Sequence, residues 1–346
     1  MRRFGRTLVA AALAVTVGAG TAGWAAGDSR QEVTGPPPGT AAWRADTSGP
    51  ALPDPAGASP HEVARFFAGL DGARQRDLLR RHPLVVGHLD GAPVALRYEA
   101  NRQAILATGE ARYASLASPG RQILAFDPRG RGQVAEVFGD LERAAHVSVI
   151  VPGTDSDATG HDASRTAHTG PAGMARSLRA AAGADTAVVA WTGYTTPVGV
   201  GLDAAGGRLA QAGAVRLARF TEGLDAVGAP DPVLFCHSYG SVVCGLAARH
   251  TDATDLVVLG SPGMRADSAA ALHTRARVWA ARGPSDWIAD VPNVEFAGIG
   301  HGTDPASPAF GARRVPAADV RGHTGYFAPG TQSLAAFTAL AKGEVR

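Results

Sequence analysis

Cysteine is scarce in this sequence, which holds only Cys236 and Cys244 among its 346 residues. Two cysteines exclude a small disulfide-stapled framework, and no histidine–cysteine spacing typical of a zinc site is found. Cys236 is expected at the end of a strand and Cys244 about two helical turns later. We therefore expect their Cα atoms to lie more than about 7 Å apart, and we predict two buried free thiols rather than a disulfide. No metal ion and no organic cofactor are predicted.

Charged side chains are also few, at 18% of the residues, and their formal sum at pH 7 is only +2. Without a basic patch, the composition gives no support for a nucleic-acid partner or for an acidic substrate. Apolar residues make up 45% of the chain, which is enough for the core of one large α/β domain or two small ones.

One apolar run, near the N-terminus, is long enough to span a membrane. Arg2, Arg3 and Arg6 precede it, and small residues that suit a cleavage site follow it. This pattern predicts a secretory signal peptide over residues 1–26, and therefore a secreted or cell-envelope protein. The alternative is an uncleaved membrane anchor, because residues 7–26 are about long enough to span a bilayer.

Two further segments precede the main domain. Residues 27–60 are rich in proline, glycine and alanine, which predicts a disordered or extended linker. Ser59, Pro60 and Glu62 then form the pattern of a capped helix start. Apolar residues at helical spacing follow, so residues 61–120 are predicted to be a helical extension.

Short apolar runs alternate with helical stretches over residues 121–346. The first two runs alternate like an antiparallel pair, at 122–126 and 133–138. The later runs are predicted to be buried parallel strands, at 147–151, 187–191, 233–236, 256–259, 278–281 and 294–297. This order predicts a doubly wound, mostly parallel sheet flanked by helices, with an active site at the carboxyl ends of the strands.

The most informative motif is Cys236-His237-Ser238-Tyr239-Gly240, which follows an apolar run and precedes a helix with small residues. A serine at the tip of a sharp strand-to-helix turn is the nucleophile elbow of an α/β hydrolase. Cysteine stands where the usual Gly-x-Ser-x-Gly pattern has its first glycine. The alternative is a buried Ser-Gly turn without chemistry.

A serine nucleophile needs a base, and the base needs an orienting carboxylate, in the chain order serine, acid, histidine. Asp286 is the first choice for the acid because it follows a predicted strand after the elbow. Asp290 and Asp267 are alternatives, and Asp286 could instead cap a turn that begins at Trp287.

Two histidines lie late enough in the chain to serve as the base. His323 is preferred because its loop lies between the last predicted strand and the last helix. His301, directly after that strand, is the alternative, either as the base, as a turn residue bonded to Asp304, or as a pocket wall. His237 is expected to pack near the elbow.

An oxyanion hole needs two backbone N–H groups. Tyr239, the residue after the serine, should supply one, and Gly153 or Thr154, after an early strand, should supply the other. The aromatic residues Trp191 and Tyr194 follow the next strand, where they could line a substrate pocket or simply pack.

Together these motifs resemble an actinobacterial α/β-hydrolase family that was long catalogued as a domain of unknown function. The resemblance covers residues 61–342 and is carried by Arg97 and by the segments 82–93, 100–102, 126–128, 151–154, 237–241, 260–263, 286–288 and 323–326. It implies an α/β-hydrolase fold with a serine triad at Ser238, Asp286 and His323. Cys236 departs from the family's usual glycine, and the family does not define a substrate.

We predict an exported serine hydrolase that cleaves a small acyl ester or a lipid ester through an acyl-enzyme. A peptidase or an acyltransferase could use the same triad. A catalytically silent cell-envelope binding protein is the alternative from a different class, since this fold also hosts other functions. Capture by a fluorophosphonate separates the two classes, because a binding protein has no activated serine.

Overall fold

The structure, a computed structural model, describes residues 30–162 and 166–345. The predicted signal peptide or anchor at 1–26 lies outside these residues. Within the described ranges, no helix combines the length and the apolar character that crossing a membrane requires.

The centre of the molecule is an eight-stranded sheet in the order β1-β2-β4-β3-β5-β6-β7-β10. Its strands are β1 Ile123–Asp127, β2 Gln133–Phe138, β3 His146–Val151, β4 Thr186–Thr192, β5 Val233–His237, β6 Asp255–Leu259, β7 Arg277–Ala281 and β10 Arg313–Arg314. Strand β2 pairs antiparallel with β1 and with β4, and the other pairs are parallel. The predicted mostly parallel, doubly wound sheet is confirmed. Its order reverses around β3, which opens a crevice at the carboxyl ends of the central strands.

Helices lie on both faces of this sheet and in the extension that precedes it. They are α1 Thr40–Arg44, α2 Pro60–Ala68, α3 Gly72–Arg81, α4 Pro83–His88, α5 Val94–Thr108, α6 Gly170–Ala182, α7 Leu202–Ala205, α8 Arg208–Ala226, α9 Gly240–Ala247 and α10 Gln332–Ala341. Helices α8 and α9 pack on one face, and α6 and α10 pack on the other. The strands are therefore buried on both faces, which explains their continuous apolar runs.

The helical extension begins as the sequence predicts and packs on the sheet domain. The side chain of Ser59 accepts a hydrogen bond from the Glu62 N–H, and Glu62 reaches back to the Ser59 N–H. This capping box starts α2. Apolar side chains of α2 to α5 then form a separate core cluster around Val63, Phe67 and Val86.

Two predictions about the chain outside the central strands are wrong. Residues 30–60 are not a disordered or extended linker, because α1 buries Trp43 against the ring of His82. Residues 294–297 do not form a buried parallel strand. Instead β8 Glu295–Phe296 pairs antiparallel with β9 Ile299–Gly300 in a small exposed hairpin. The edge position of the sheet is taken by β10, whose two arginines are exposed. Its backbone pairs with β7, and the Arg313 guanidinium lies 5.1 Å from the centre of the Trp279 ring on that strand.

A buried ion-pair cluster joins the helical extension to the sheet domain. Asp90, in the turn between α4 and α5, is fully buried and accepts hydrogen bonds from Arg97 at 3.0 Å and from Arg216 of α8 at 2.9 Å. Burial alone would raise the pKa of Asp90, but the guanidinium groups of Arg216 and Arg97 outweigh it and lower the pKa. The carboxylate therefore stays ionised at neutral pH.

We expect Asp90→Asn to lower the free energy of unfolding by about 3–5 kcal/mol, because it leaves Arg97 buried without a counter-charge. Since the folded-state pKa of Asp90 is lowered, its contribution is complete above its ordinary value of 3.8 and is lost as the pH falls below that value. Urea unfolding from neutral to acid pH measures both effects. Asp54→Asn, in the exposed pair with Arg44, is the matched control and should change stability little.

Candidate functional site

A strained serine lies at the tip of the turn between β5 and α9. Ser238 has a φ angle of 55°, in the left-handed region that residues other than glycine rarely adopt. Its N–H donates to the Leu259 carbonyl at 2.9 Å, and its own carbonyl accepts from the Ser241 N–H at 2.9 Å. These bonds hold a conformation that costs on the order of 1–3 kcal/mol, which is typical of functional positions. The predicted strand, sharp turn and helix are present.

The two cysteines form a disulfide beneath this turn, so the prediction of free thiols is wrong. The Cα atoms of Cys236 and Cys244 are 6.4 Å apart, within the range that a disulfide can bridge. The distance is shorter than expected because the sharp turn at Ser238 folds α9 directly back along the end of β5. The side chain of Cys236 therefore has a partner inside the elbow, at the position where glycine is usual.

Two glycines let the backbone approach the serine closely. A Cβ atom on Gly153, in the loop after β3, would lie 2.5 Å from the Cβ of Ser238 and 3.0 Å from the backbone nitrogen of Tyr239. A Cβ atom on Gly240 would lie 2.3 Å from the Val151 carbonyl oxygen. Only glycine fits at these positions. The predicted oxyanion residues Tyr239 and Gly153 are therefore neighbours at the elbow, and Thr154 follows in the same loop.

The predicted acid and base are hydrogen-bonded to each other. Asp286 lies in the loop after β7, and His323 lies in the loop between β10 and α10. The His323 Nδ1–H donates to Asp286 Oδ1 at 2.8 Å. Both side chains are largely buried. Asp286 also accepts from the Ile288 N–H at 3.0 Å, so the alternative prediction of a cap holds for the same residue.

A residue that the sequence analysis did not single out completes this pair. The Tyr326 hydroxyl donates to Asp286 Oδ2 and accepts from the Gly283 N–H at 3.1 Å. Burial alone would raise the pKa of Asp286, but the hydrogen bonds from His323 and Tyr326 outweigh it and lower the pKa. The sequence does contain a signal for this role, since Tyr326 follows His323 by three positions. In the structure it lies on a short 3-10 helix.

Two other aromatic rings contact His323, the predicted base. The His237 Nε2–H donates to the His323 carbonyl at 2.7 Å, and the two imidazole rings lie 4.7 Å apart. Burial, reinforced by His323, lowers the pKa of His237 to about 3, so this ring is neutral at pH 7. The exposed Trp287 ring lies 4.7 Å from the His323 ring. His237 thus packs at the elbow, as expected.

The alternative acids and the alternative base lie elsewhere. Asp290 and Asp267 are exposed and make no hydrogen bond to His323 within the described chain. His301 is buried, but its Nε2–H donates to the Ala204 carbonyl at 2.7 Å and its ring edge packs on Tyr239. It is not bonded to Asp304, which pairs with Arg282. The geometry therefore favours Asp286 and His323 over these alternatives.

The aromatic residues Trp191, near the end of β4, and Tyr194, just after it, are packing residues. Trp191 and Tyr194 are buried and stacked, with ring centroids 6.0 Å apart. The Tyr194 hydroxyl donates to the Pro152 carbonyl at 2.7 Å, directly before Gly153. Its contribution to the site is therefore indirect, because it anchors the loop that approaches the elbow.

The arrangement suits proton transfer and anion stabilisation. Nε2 of His323 is buried and has no hydrogen-bond partner within the described chain, while Nδ1 is held by Asp286. A neutral imidazole in this tautomer presents its free nitrogen as a base. Residues 30–162 and 166–345 contain no cluster of three histidine, cysteine, aspartate or glutamate side chains placed to hold a metal ion.

We expect Tyr326→Phe to lower kcat about 10- to 100-fold, because a hydrogen bond to a charged group contributes about 1.5–3 kcal/mol. KM should stay within about twofold, since the hydroxyl faces Asp286 and not a substrate. Ester hydrolysis and a melting curve for each variant separate catalysis from folding. Tyr113→Phe, which removes a remote hydroxyl that donates to the Pro128 carbonyl, is the control. An equal loss in both variants would contradict the positioning role.

Comparison with known proteins agrees with this architecture. A family model described as "Alpha/beta hydrolase" matches residues 127–296, which include the elbow and Asp286 but not His323. Two curated relatives from Mycobacterium tuberculosis, the uncharacterized proteins MT2140 and Rv2079, are each 29% identical over 84% of this chain. The chain spans 57% of the length of these relatives. The resemblance to an actinobacterial α/β-hydrolase family of unknown function is thereby confirmed.

Solved structures with a similar fold share less sequence identity with this chain. One is XC6422 from Xanthomonas campestris, an α/β serine hydrolase without a lid, which is 17% identical with a TM-score of 0.40. The match covers 66% of this chain and 95% of that one. Another is a CIB-like hydrolase from Thermoplasma acidophilum, 14% identical with a TM-score of 0.41, for which the shares are 65% and 99%.

Proposed function

Because this chain is an α/β hydrolase by its fold and by its family match, we propose that it is a serine hydrolase that cleaves an ester. The observation that carries the proposal is the hydrogen bond from His323 to Asp286, on two loops at the same sheet edge as the strained Ser238. The fold and the family match support hydrolase activity in general. The serine nucleophile and the ester substrate are the proposed refinements.

In the proposed mechanism His323 Nε2 removes the proton from Ser238 Oγ as the oxygen attacks the carbonyl carbon of the ester. Asp286 holds the imidazole in the required tautomer and stabilises the imidazolium that forms. The backbone N–H of Tyr239 and that of Gly153 or Thr154 bind the oxyanion. His323 then gives its proton to the departing alcohol, which leaves an acyl-enzyme.

Water completes the cycle. His323 removes a proton from the water molecule, whose oxygen attacks the acyl carbon, and the proton then returns to Ser238 Oγ as the acid departs. The preformed features of the elbow, namely its strained serine and the close glycine at 153, reduce the reorganisation that the reaction needs. We propose a small acyl ester or a lipid ester as substrate because the chain has few charged side chains.

Export is a further part of the proposal. It rests on Arg2, Arg3 and Arg6 before an apolar run, as in secretory signals. If the run is not cleaved, it would anchor the protein in the membrane. The mass of the mature N-terminus in culture supernatant and in membranes would distinguish cleavage from anchorage.

Covalent capture by a fluorophosphonate tests the proposed function. Ser238 Oγ should attack the phosphorus and displace fluoride, so that the protein gains one adduct, which peptide mass spectrometry should locate at Ser238. Heat-denatured protein and Ser238→Ala should remain unlabelled, and His323→Gln should be labelled more slowly. An unlabelled native protein would contradict the serine mechanism and favour the binding role. A label at another residue would contradict the assignment of the nucleophile.

A further inference from the structure

Exposed apolar side chains are concentrated at one edge of the molecule. Of the nine large apolar side chains that are exposed in the described chain, two lie on long helices away from this edge, Leu106 on α5 and Val215 on α8. The other seven lie in the connection from β4 to α8, which includes α7, and in the connection from β7 to β10, which includes the β8–β9 hairpin. We call these two connections the rim loops and the seven side chains the apolar rim: Val198, Val200, Leu202, Trp287, Val294, Phe296 and Ile299. Such clustering is unusual, because exposed apolar residues on soluble proteins are normally scattered.

The two loops form one continuous surface. A backbone bridge pairs Gly206 with Ile299. Arg265 also holds the β8–β9 hairpin. Its guanidinium donates to the Gly298 carbonyl at 2.7 Å and pairs with Glu295 at 3.1 Å. Strands β3, β5 and β6 lie between β4 and β7 in the sheet, so the loop after β7 crosses the carboxyl end of the strand that carries the elbow.

The rim touches the candidate site through Trp287, and the backbone of the loop that follows β4 touches it at Gly206. The Trp287 ring packs on the His323 ring, and the Tyr239 hydroxyl donates to the Gly206 carbonyl at 2.9 Å. The rim loops are thus continuous with the base on one side and with the residue after Ser238 on the other. A molecule that covers the rim would lie beside the route by which a substrate reaches Ser238.

The carboxylates in the rim loops are mostly paired, two of them with arginines that lie outside these loops, Arg265 after β6 and Arg208 on α8. Glu295 pairs with Arg265 at 3.1 Å, and Asp203 lies 3.7 Å from Arg208. Asp290 is exposed and takes part in no ion pair within the described chain. This surface therefore carries no excess of cations for an anionic partner. Its apolar area and its charge pairing match a neutral, apolar occupant.

We propose that the apolar rim docks on the surface of a neutral lipid aggregate, from which the enzyme draws its ester substrate. This inference rests on the proposed function and names its substrate class, a water-insoluble lipid ester. Insertion of the rim would remove its exposed side chains from water, which is the driving force for interfacial binding. The ester bond of a lipid in that surface would then lie next to the elbow.

A fluorophore placed at the rim tests the docking independently of catalysis. Both native cysteines are in the disulfide, so Phe296→Cys supplies a single thiol for an environment-sensitive dye. Leu106→Cys is the matched control, because Leu106 is also exposed but lies on α5. In the full chain with phosphatidylcholine vesicles, the dye at position 296 should shift its emission to the blue and the dye at 106 should not. The local readout is insensitive to vesicle binding by the N-terminal segment alone. The shift should persist when Ser238→Ala is added.

Equal shifts at both positions, or no shift at either, would overturn the docking. A shift at position 296 that depends on protein concentration and occurs without vesicles would overturn it in favour of a second copy of the chain.

A kinetic comparison tests the substrate class. Combining Leu202→Ser with Phe296→Ser should lower hydrolysis of an emulsified long-chain ester by about tenfold or more and leave turnover of soluble p-nitrophenyl acetate within about twofold. The control pair, Leu106→Ser with Val215→Ser, should change neither activity. Equal loss on both substrates would overturn the substrate class. Absence of turnover of both esters in the wild type, together with no fluorophosphonate capture at Ser238, would contradict the proposed function, while the fluorescence shift would still decide the docking.

Discussion

Replacement of Ser238 by alanine is expected to lower kcat about 10⁶-fold, the loss seen when a triad nucleophile is removed. The substitution removes only the hydroxyl oxygen, and the methyl group fits the space that the Ser238 side chain already occupies. KM should change little, because Oγ contributes to bond making rather than to substrate binding. The residual rate should reflect the oxyanion donors and binding alone.

Hydrolysis of p-nitrophenyl esters from acetate to palmitate measures this effect and reports the preferred chain length. Ser241→Ala is the matched control, because Ser241 lies in the same turn but its hydroxyl donates to the Cys236 carbonyl at 3.1 Å. It should retain most of the activity. If Ser238→Ala turned over as fast as the wild type, Ser238 would not be the nucleophile. If neither protein hydrolysed any of these esters, fluorophosphonate capture would separate a narrower substrate from a binding role.

The second large effect is expected at the acid. Asp286→Asn should lower kcat about 10⁴-fold, as the equivalent change does in a serine protease triad. Asp286 accepts three hydrogen bonds, from His323, Tyr326 and the Ile288 N–H. An asparagine has one acceptor oxygen and an NH₂ group in place of the other oxygen. It therefore cannot accept hydrogen bonds from both His323 and Tyr326, which donate to different oxygens of Asp286. If the NH₂ group faces His323, Nδ1 must become the acceptor and Nε2 carries the proton, which leaves no base for Ser238.

Asp290→Asn makes the same chemical change four residues later, at an exposed position. Asp290 is the control because the sequence analysis gives it as an alternative to Asp286. It should leave kcat within about twofold, since surface changes of this kind are usually small. Steady-state kinetics of the two variants at pH 7 decide between them. A large loss in Asp290→Asn, with an active Asp286→Asn, would move the acid to position 290.

The central part of this architecture is predictable because it depends on local patterns. The elbow needs small residues around Ser238, and the proposed acid and base were chosen from their positions after late strands. Parallel strands buried on both faces give apolar runs that are recognisable along the sequence. Chain order and sheet geometry then bring Asp286 and His323 to the same edge.

The parts that failed depend on information that side-chain patterns do not carry. The Cys236–Cys244 bridge depends on how sharply the chain turns at Ser238. The edge strand at Arg313–Arg314 consists of two exposed arginines, so no apolar pattern marks it, while residues 294–297 stay outside the main sheet. The burial of Trp43 depends on a ring contact with the distant His82. The role of Tyr326 likewise depends on a loop returning to Asp286.

The disulfide under the elbow links residues that are already neighbours along the chain. It closes a short loop within one strand–turn–helix unit and ties no remote parts of the fold together. Because both cysteines are fully buried, a reductant reaches the bridge only when this unit opens locally. Reduction would then release the two sides of the turn that carries Ser238, the proposed nucleophile, while the sheet and its two helical layers keep their own contacts. We therefore expect reduction to change the reactivity of Ser238 before it unfolds the protein.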